Sequence, residues 1–260
     1  MFKRSKRSFS KFKLSTILLT IFSFLVLTLT VNQTRKIILY KSKAASNTYD
    51  IVVYGAGTGG SFAAIQAARM GSKVLLIEPT DWVGGQMTSA GVPNMDGGEP
   101  EWTQGLYTEY INLIRAHYNS KNKSIGTCYW DKNSVCFEPN VGQMILRQLL
   151  SNEPNIVLLL NTKVTQLTKT LNTITGVITD KGDTMTSKIV IDASEYGDLI
   201  PLSGANYRVG NSTNSSLNTS ACIQDITYTA IIKKYPSGVP PALVITTPPP
   251  GYDSVKYYFS

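Results

Sequence analysis

Three glycines and one acidic residue have the types and spacing of a phosphate-binding turn. Gly55, Gly57 and Gly60 form the pattern G-x-G-x-x-G, and Glu78 stands 23 positions after the first of them. In this pattern the first glycine permits a tight turn, the second lets a pyrophosphate approach the backbone, and the third lets a helix pack on a strand. Glu78 is placed to accept hydrogen bonds from a ribose and would repel a 2′-phosphate. These residues predict that the chain binds a dinucleotide, and they disfavour NADP.

The elements that would hold these residues follow one another along the chain. Asp50–Tyr54 is a short β-branched run that breaks straight into the glycines, which is typical of a buried strand and its turn. Ser61–Met70 supplies helix formers with apolar residues at helical spacing, and Gly71 is placed to end that helix. Lys73–Glu78 has the composition of a second buried strand. The result is a strand–helix–strand unit whose helix N-terminus faces the phosphates.

Two later segments extend the pattern. Gly84 and Gly85 stand six residues after Glu78 and form a Gly-Gly pair. Paired glycines allow backbone amides to reach phosphates and a ribityl chain, and the alternative is a glycine-rich surface loop without a ligand. Strand-like runs separated by turns then occupy residues 155–192 and lead into Asp192–Asp198, with the sequence D-A-S-E-Y-G-D.

Together these motifs resemble the FAD-dependent oxidoreductase family of flavoproteins with two dinucleotide-binding domains, which includes members labelled xanthan lyase-like. The Gly-Gly pair is similar to the second flavin motif of that group, and Asp192–Asp198 matches its Asp-Ala-(Ser/Thr)-x-x-Gly-Asp segment. Cys136–Pro139 before a helix at Val141–Leu150, and Gly204–Gly210, fit the same family pattern. The resemblance covers Asp50–Gly210.

The resemblance implies an α/β fold in which a Rossmann-like FAD-binding domain combines a parallel sheet with a β-meander. It implies an FAD-dependent oxidoreductase, in which the flavin transfers the electrons and the protein binds, orients and tunes it. Catalytic side chains stay unassigned, and no metal is expected. Thr88 and Ser89 either lie near the flavin ring or are simple turn residues, and Asp198 lies either near the ribityl or phosphate region or at the start of a helix. The residues expected to bind the cofactor are Gly55, Ala56, Gly57, Thr58, Gly59, Gly60, Glu78, Pro79, Gly84, Gly85, Gln86, Met87, Thr88, Val164, Asp192, Ala193, Gly197 and Asp198.

The distribution of charge argues against nucleic-acid binding. The formal net charge is +8, but ten of the 25 Lys/Arg and none of the 17 Asp/Glu fall in residues 1–49. The body from Asp50 onward therefore carries a net charge of about −2 and has no basic stripe for a phosphate backbone. A single His excludes a His-based metal cluster.

Residues 1–49 form a basic leader. Leu14–Val31 is an uncharged, mostly apolar run of 18 residues that follows six Lys/Arg. As a helix it would span roughly 27 Å, near the hydrocarbon thickness of a bilayer, so both a cleaved signal peptide and a retained membrane anchor stay open. Either one predicts a body outside the cytoplasm, whether periplasmic, extracellular or anchored with its face outward. Cys128 and Cys136 lie in a polar loop and would be able to form a disulfide there.

The C-terminal part departs from the family pattern. Family members insert a substrate domain and then return to a last strand and helix that contact the flavin. Residues 211–260 show no such return and hold half of the 12 prolines. We therefore expect 50–210 to be the FAD-binding domain and 211–260 to be the start of a substrate domain or a Pro-rich tail. In that case the chain is truncated, and a second chain would complete the flavin site.

The leading functional hypothesis is an exported or membrane-anchored FAD-dependent oxidoreductase. Its expected substrate is a small molecule, carbohydrate-like compounds included, and no nucleic acid is expected as a partner. The alternative is a non-catalytic FAD- or nucleotide-binding fragment of a larger or split flavoprotein. An NAD-linked dehydrogenase is disfavoured because its fold requires neither Gly84–Gly85 nor Asp192–Asp198.

Overall fold

The protein was analysed as a computed structural model, which divides the chain into two compact units, Met1–Ile226 and Thr227–Ser260. The expected leader helix at 14–31 lies outside the described residues. No helix within the described ranges is long and apolar enough to cross a membrane. In the second unit, the described residues include one 3-10 turn, Pro241–Leu243. The structure describes residues 47–95, 104–127, 135–210, 229, 235–244, 246, 247 and 250–253.

A six-stranded mixed sheet forms the centre of the first unit. Its strands are β1 (Thr48–Tyr54), β2 (Val74–Ile77), β5 (Ile156–Leu159), β6 (Val164–Thr170), β7 (Thr173–Thr179) and β8 (Thr184–Asp192), while β3 (Gly126–Thr127) and β4 (Val135–Cys136) form a separate antiparallel pair. The strand order in the sheet is β5-β2-β1-β8-β7-β6, in which β5, β2, β1 and β8 run parallel and β7 and β6 continue the sheet as an antiparallel meander. The predicted α/β fold with a parallel sheet and a β-meander is therefore confirmed.

Three helices pack on one face of the sheet, and a short last helix contributes Leu199 to the core on the other face. The first begins at Thr58, three residues before the predicted Ser61, because the glycines after Gly57 already adopt the helical conformation. Another begins with Pro139 at its first position, where the missing N–H of proline costs no helical hydrogen bond. The helices are α1 (Thr58–Arg69), α2 (Leu106–Ser120), α3 (Pro139–Asn152) and α4 (Leu199–Ser203).

The core lies on both faces of the sheet, because neighbouring residues of a strand point to opposite faces. Val53 of β1 packs with buried residues of the helices, such as Ile65 and Ile145. Its neighbour Val52 belongs to a second cluster, which includes Val177 of the meander. Strands buried on both faces are typical of parallel sheets, and they explain the uninterrupted apolar runs in the sequence.

Arg69 fastens the helical layer near its surface. Its Nη1 and Nη2 donate to the two carboxylate oxygens of Glu109 on α2, at 2.7 and 2.9 Å. Its Nε donates to Glu153, directly after α3, at 2.7 Å. One guanidinium at the end of α1 therefore joins three helices.

Cys136 in β4 is bonded in a disulfide. The partner cysteine lies outside the described residues, so the pairing of Cys128 with Cys136 stays a prediction. The next residue, Phe137, donates its backbone N–H to the Pro93 carbonyl at 3.1 Å. This hydrogen bond places the chain next to Cys136 beside Pro93, in the segment that follows the turn of Gly84 and Gly85.

Candidate functional site

A cleft of about 600 Å³ opens where the carboxyl ends of β1, β2 and β8 meet. Another cavity lies at the amino ends of β1 and β8, but ligands of open α/β sheets bind outside the carboxyl ends of the strands. The carboxyl-end cleft is therefore the candidate site. Its lining residues are Tyr54, Gly55, Gly57, Glu78, Pro79, Thr80, Trp82, Gly85, Gln86, Ser89, Ala90, Lys163, Ala193, Ser194, Glu195, Tyr196 and Asp198.

Different structural requirements favour glycine at each of the three positions of the first glycine-rich turn, Gly55, Gly57 and Gly60. Gly55 has φ +97°, and a Cβ there would overlap the Ala193 carbonyl. A Cβ on Gly60 would overlap the Gly55 carbonyl oxygen, so α1 packs on the turn only without a side chain at that position. Gly57 has an ordinary φ of −61°, and a Cβ there would meet only the end of the Glu195 side chain, at 3.0 Å. The Cα of Gly57 is therefore open toward the cleft, as the approach of a pyrophosphate requires.

The two glycine-rich turns are joined to each other. The Gly84 N–H donates to the Ala56 carbonyl at 2.7 Å, and the Thr58 hydroxyl donates to the Gly84 carbonyl at 2.9 Å. Gly84 has φ +104°, and a Cβ there would collide with the Thr88 side chain. Thr58 and Gly84 thus hold the cleft wall together from behind.

Glu78 lies at the end of β2 and is fixed by the protein itself. Its Oε2 accepts the Ala56 N–H at 2.7 Å, and its Oε1 accepts the N–H and the hydroxyl of Thr80 at 3.0 and 2.8 Å. A carboxylate accepts about four hydrogen bonds. The three observed bonds leave one position on Glu78, which suits a ribose hydroxyl.

Met87 and Thr88, which are predicted to bind the cofactor, lie behind the cleft wall and are not among its lining residues. Met87 is 1% exposed and belongs to the hydrophobic core. The Thr88 hydroxyl turns inward and donates to the Val83 carbonyl at 2.6 Å, so Thr88 is a turn residue. Ser89, in contrast, is exposed and lines the cleft.

Asp192, also predicted to bind the cofactor, shapes the loop after β8 and is not among the lining residues of the cleft. Its Oδ1 accepts the N–H and the hydroxyl of Ser194 at 3.1 and 2.7 Å, and its Oδ2 accepts the Leu199 N–H at 2.8 Å. Asp192 therefore accepts a hydrogen bond from the first backbone N–H group of α4. Asp198 is the N-terminal residue before that helix but makes no capping hydrogen bond through its side chain, and it lines the cleft.

The remaining predicted residues also divide between the wall and the layer behind it. Gly85, Gln86, Pro79 and Ala193 line the cleft. Outside the lining lie Ala56, Gly59, Gly60, Val164 and Gly197.

Tyr54 is a wall residue that sequence reasoning missed. As the last residue of a buried strand it gave no signal of its own, yet its hydroxyl accepts a backbone hydrogen bond from Val164. Burial raises the pKa of this hydroxyl above its ordinary value. Tyr54 therefore stays neutral at physiological pH and connects β1 to the start of the meander.

The other missed wall residues lie on loops that follow strands. Lys163 is the only basic side chain among the described lining residues, which also include the acids Glu78, Glu195 and Asp198. Within the described ranges, no group of three or more His, Cys, Asp or Glu side chains is placed to hold a metal ion. The site therefore offers a phosphate-accommodating turn, a ribose acceptor and a predominantly acidic wall.

A mostly parallel sheet, with glycine-rich turns and an acid at the carboxyl ends of its strands, defines a dinucleotide-binding protein of the Rossmann type. Residues 50–251 match the family model described as FAD dependent oxidoreductase. Because the match covers more than half of the chain, the chain belongs to this family. The predicted FAD cofactor and the oxidoreductase class are thereby confirmed.

Two curated relatives are tRNA uridine 5-carboxymethylaminomethyl modification enzymes named MnmG. The relative from Alkaliphilus metalliredigens is 30% identical over 167 residues, which are 58% of this chain and 25% of that protein. The relative from Phocaeicola vulgatus is 31% identical over 150 residues, which are 55% of this chain and 23% of that protein. The chain thus spans about a quarter of the length of the curated relatives it matches. Among solved structures, L-proline dehydrogenase from P. horikoshii has a TM-score of 0.43 and 17% identity, covering 61% of this chain and 56% of that chain.

Proposed function

We propose that the chain binds FAD in the carboxyl-end cleft and serves as an exported or membrane-anchored oxidoreductase for a small molecule. The observation that carries the proposal is the backbone of Gly57, which only the end of the Glu195 side chain covers, between two joined glycine-rich turns and in the same cleft as the fixed carboxylate of Glu78. In this arrangement the pyrophosphate lies over Gly57, and the adenosine ribose binds Glu78. When bound, FAD supplies the electron-accepting group.

The start of α1 supports the placement of the pyrophosphate. Gly57 precedes the helix without a side-chain cap, and the first turn contains no acidic residue. The first N–H groups of a helix lack partners within the helix and carry partial positive charge, so they stabilise an anion. The residues of this turn therefore bind and orient the phosphates, while Ser89 lies on the cleft wall beyond the second glycine-rich turn.

Export is supported by two features of the chain. The apolar run at 14–31 follows a basic cluster, and Cys136 is bonded in a disulfide. Disulfides persist mainly in oxidising compartments, which fits a body outside the cytoplasm. A fusion of the full chain to a reporter that is active only outside the cytoplasm tests this part, and a reporter active only inside would contradict it.

The proposed substrate is a small molecule, carbohydrate-like compounds included. We do not extend the tRNA substrate in the names of the MnmG relatives to this chain. The similarity spans about a quarter of those proteins, and the residues from Asp50 onward carry a net charge of about −2. A cleft with three acids and one lysine does not favour a polyanion.

The first experiment is an absorbance spectrum of the full chain purified in detergent, with the released cofactor identified after denaturation. We expect a flavin band and released FAD in the wild type. Gly57→Val should lose FAD and keep its fold, because the φ of −61° at Gly57 suits valine and the added Cβ meets only the end of the Glu195 side chain. Gly126→Val, at an exposed glycine of β3, is the matched control and should retain FAD.

Other outcomes separate the alternatives. A wild type that takes up no FAD but binds NAD would overturn the proposal in favour of an NAD-linked dehydrogenase. Bound FAD that cannot be photoreduced and reoxidised would support the non-catalytic fragment. Loss of FAD from both glycine variants would contradict the placement of the pyrophosphate at Gly57.

A further inference from the structure

The loop after β8 places an acidic side chain between the two glycine-rich turns. The Glu195 Oε1 lies 3.0 Å from the position that a Cβ on Gly57 would take and 2.5 Å from the corresponding position on Gly85. The Gly57 Cα itself lies 3.0 Å from that Gly85 position. A carboxylate thus occupies the space that the missing side chains of these two glycines create, which is the space proposed for the pyrophosphate.

The backbone that presents Glu195 is held on both sides. Before it, Ser194 is bonded through its N–H and hydroxyl to Asp192. After it, the Asp198 N–H donates to the Ser194 hydroxyl at 2.8 Å, and the Leu199 N–H donates to Asp192. The loop therefore has a defined shape, and the exposed Glu195 side chain is able to leave the turns by rotation of its own torsions.

The electrostatics explain why a carboxylate rests there. The N-terminus of α1 attracts an anion, and its first turn has no acid of its own. No ion pair among the described residues includes Glu195. Glu78 and Asp198 line the same cleft, and a phosphate that enters while Glu195 is present meets like charges at close range.

We infer that Glu195 is an intramolecular competitor for the phosphate position. The Glu195 carboxylate occupies the position over Gly57 and Gly85, and it must swing out when a pyrophosphate binds. Glu195 thereby weakens the binding of FAD and of other ligands that contain a pyrophosphate, and it leaves ligands without phosphate unaffected. The inference rests on the proposed function, because it places the pyrophosphate in the same cleft.

The test compares the full-length wild type with Glu195→Gln and Glu195→Ala by isothermal titration calorimetry with FAD, ADP and adenosine. Both variants should bind FAD and ADP at least about fivefold more tightly at low salt, since two like charges at about 4 Å repel by about 1 kcal/mol even in bulk water. The gain should shrink at high salt. Affinity for adenosine should stay the same, because adenosine carries no phosphate.

Asp81→Asn is the matched control. Asp81 is exposed and stands between Thr80 and Trp82 of the cleft wall, so its replacement removes one negative charge nearby without clearing the turns. It should leave the affinity for FAD within about twofold, because exposed charges outside the site are screened.

Each outcome decides between the inference and the proposed function. If the wild type binds FAD but Glu195→Gln binds it no more tightly, the inference is wrong and the proposed function stands. An equal gain for Asp81→Asn, or an equal gain for adenosine, also overturns the inference, since neither depends on the phosphate position. If none of the proteins binds FAD or ADP, the proposed function fails and the inference with it.

Discussion

At the scale of single residues, two adjacent glycines of α1 have opposite surroundings. A Cβ on Gly60 would overlap the Gly55 carbonyl oxygen, whereas a Cβ on Gly59 would meet no atom within 4 Å. Gly60→Ala should lower the free energy of unfolding by at least about 2 kcal/mol, because backbone atoms must move. Gly59→Ala should raise it by about 0.5 to 1 kcal/mol, because alanine restricts the unfolded chain and suits a helix. Chemical denaturation of both variants measures the difference, and equal stabilities would refute this explanation of Gly60.

The same scale shows the limit of reasoning from sequence. The spacing of Gly55, Gly57 and Gly60 predicted a turn that the structure contains, because backbone requirements at these positions leave few other residue types. The spacing of the residues does not predict the direction in which each side chain points. Thr88 and Ser89 are neighbours of similar chemistry, yet the first turns into the protein and the second lines the cleft. Such a difference depends on local backbone rotation and tertiary contacts, which residue spacing does not encode.

At the scale of elements, the Arg69 contacts make the packing of the helices depend on pH. The Arg69 hydrogen bond lowers the pKa of Glu109 below its ordinary value of 4.5. The pairing of Glu109 with Arg69 therefore contributes its full stability above pH 4.5, the ordinary pKa of a glutamate in the unfolded chain. This contribution is lost as the pH falls through the lower pKa of Glu109 in the folded state. Arg69→Met should lower the free energy of unfolding at pH 7 by about 0.5 to 1 kcal/mol, since the ion pair of Arg69 with Glu109 is partly exposed. The variant should also lose less stability between pH 4.5 and about pH 3 than the wild type, so that the acid limb of its pH profile is flatter.

Urea titrations from pH 3 to pH 7 check this expectation. Lys188→Met is the matched control, because it breaks an exposed ion pair with Asp50 on the sheet and leaves the helices joined. It should preserve the Glu109 contribution to the acid limb. A wild type and an Arg69→Met variant with parallel pH profiles would show that the network does not stabilise the fold.

The elements themselves were largely predictable, because their apolar periodicity reflects burial on one or both faces. The strands of the parallel sheet and the meander occur where alternating or continuous apolar runs placed them. The predicted start of α1 was less accurate, because Gly59 and Gly60 suggested a turn although both lie within the helix, where Gly60 packs against Gly55 and Ala193. Boundaries of this kind are determined by packing partners distant in the sequence.

At the scale of the whole molecule, the disulfide at Cys136 links stability to redox conditions. Complete reduction should lower the thermal midpoint by roughly 5 to 15 °C, because it removes a constraint on the unfolded chain. Differential scanning calorimetry of the full chain with and without reductant measures the shift. Cys136→Ser should have the lower thermal midpoint even without reductant, and adding reductant should not change that midpoint. An unchanged midpoint in the wild type, with complete reduction verified by thiol titration, would contradict the expectation.

The pairing of β1 with β8 has a consequence for how the protein folds during its synthesis on the ribosome. Asp50 and Lys188, which form an ion pair across these strands, are 138 positions apart in the chain. At about 5 to 20 residues per second, translation leaves β1 without this neighbour for on the order of 10 s. During that time the residues of both glycine-rich turns have been made, but the loop after β8 that lines the same cleft has not. The carboxyl-end cleft therefore gains its wall from β8 only after that strand has been made, so a ligand of this cleft binds late in the folding of the domain.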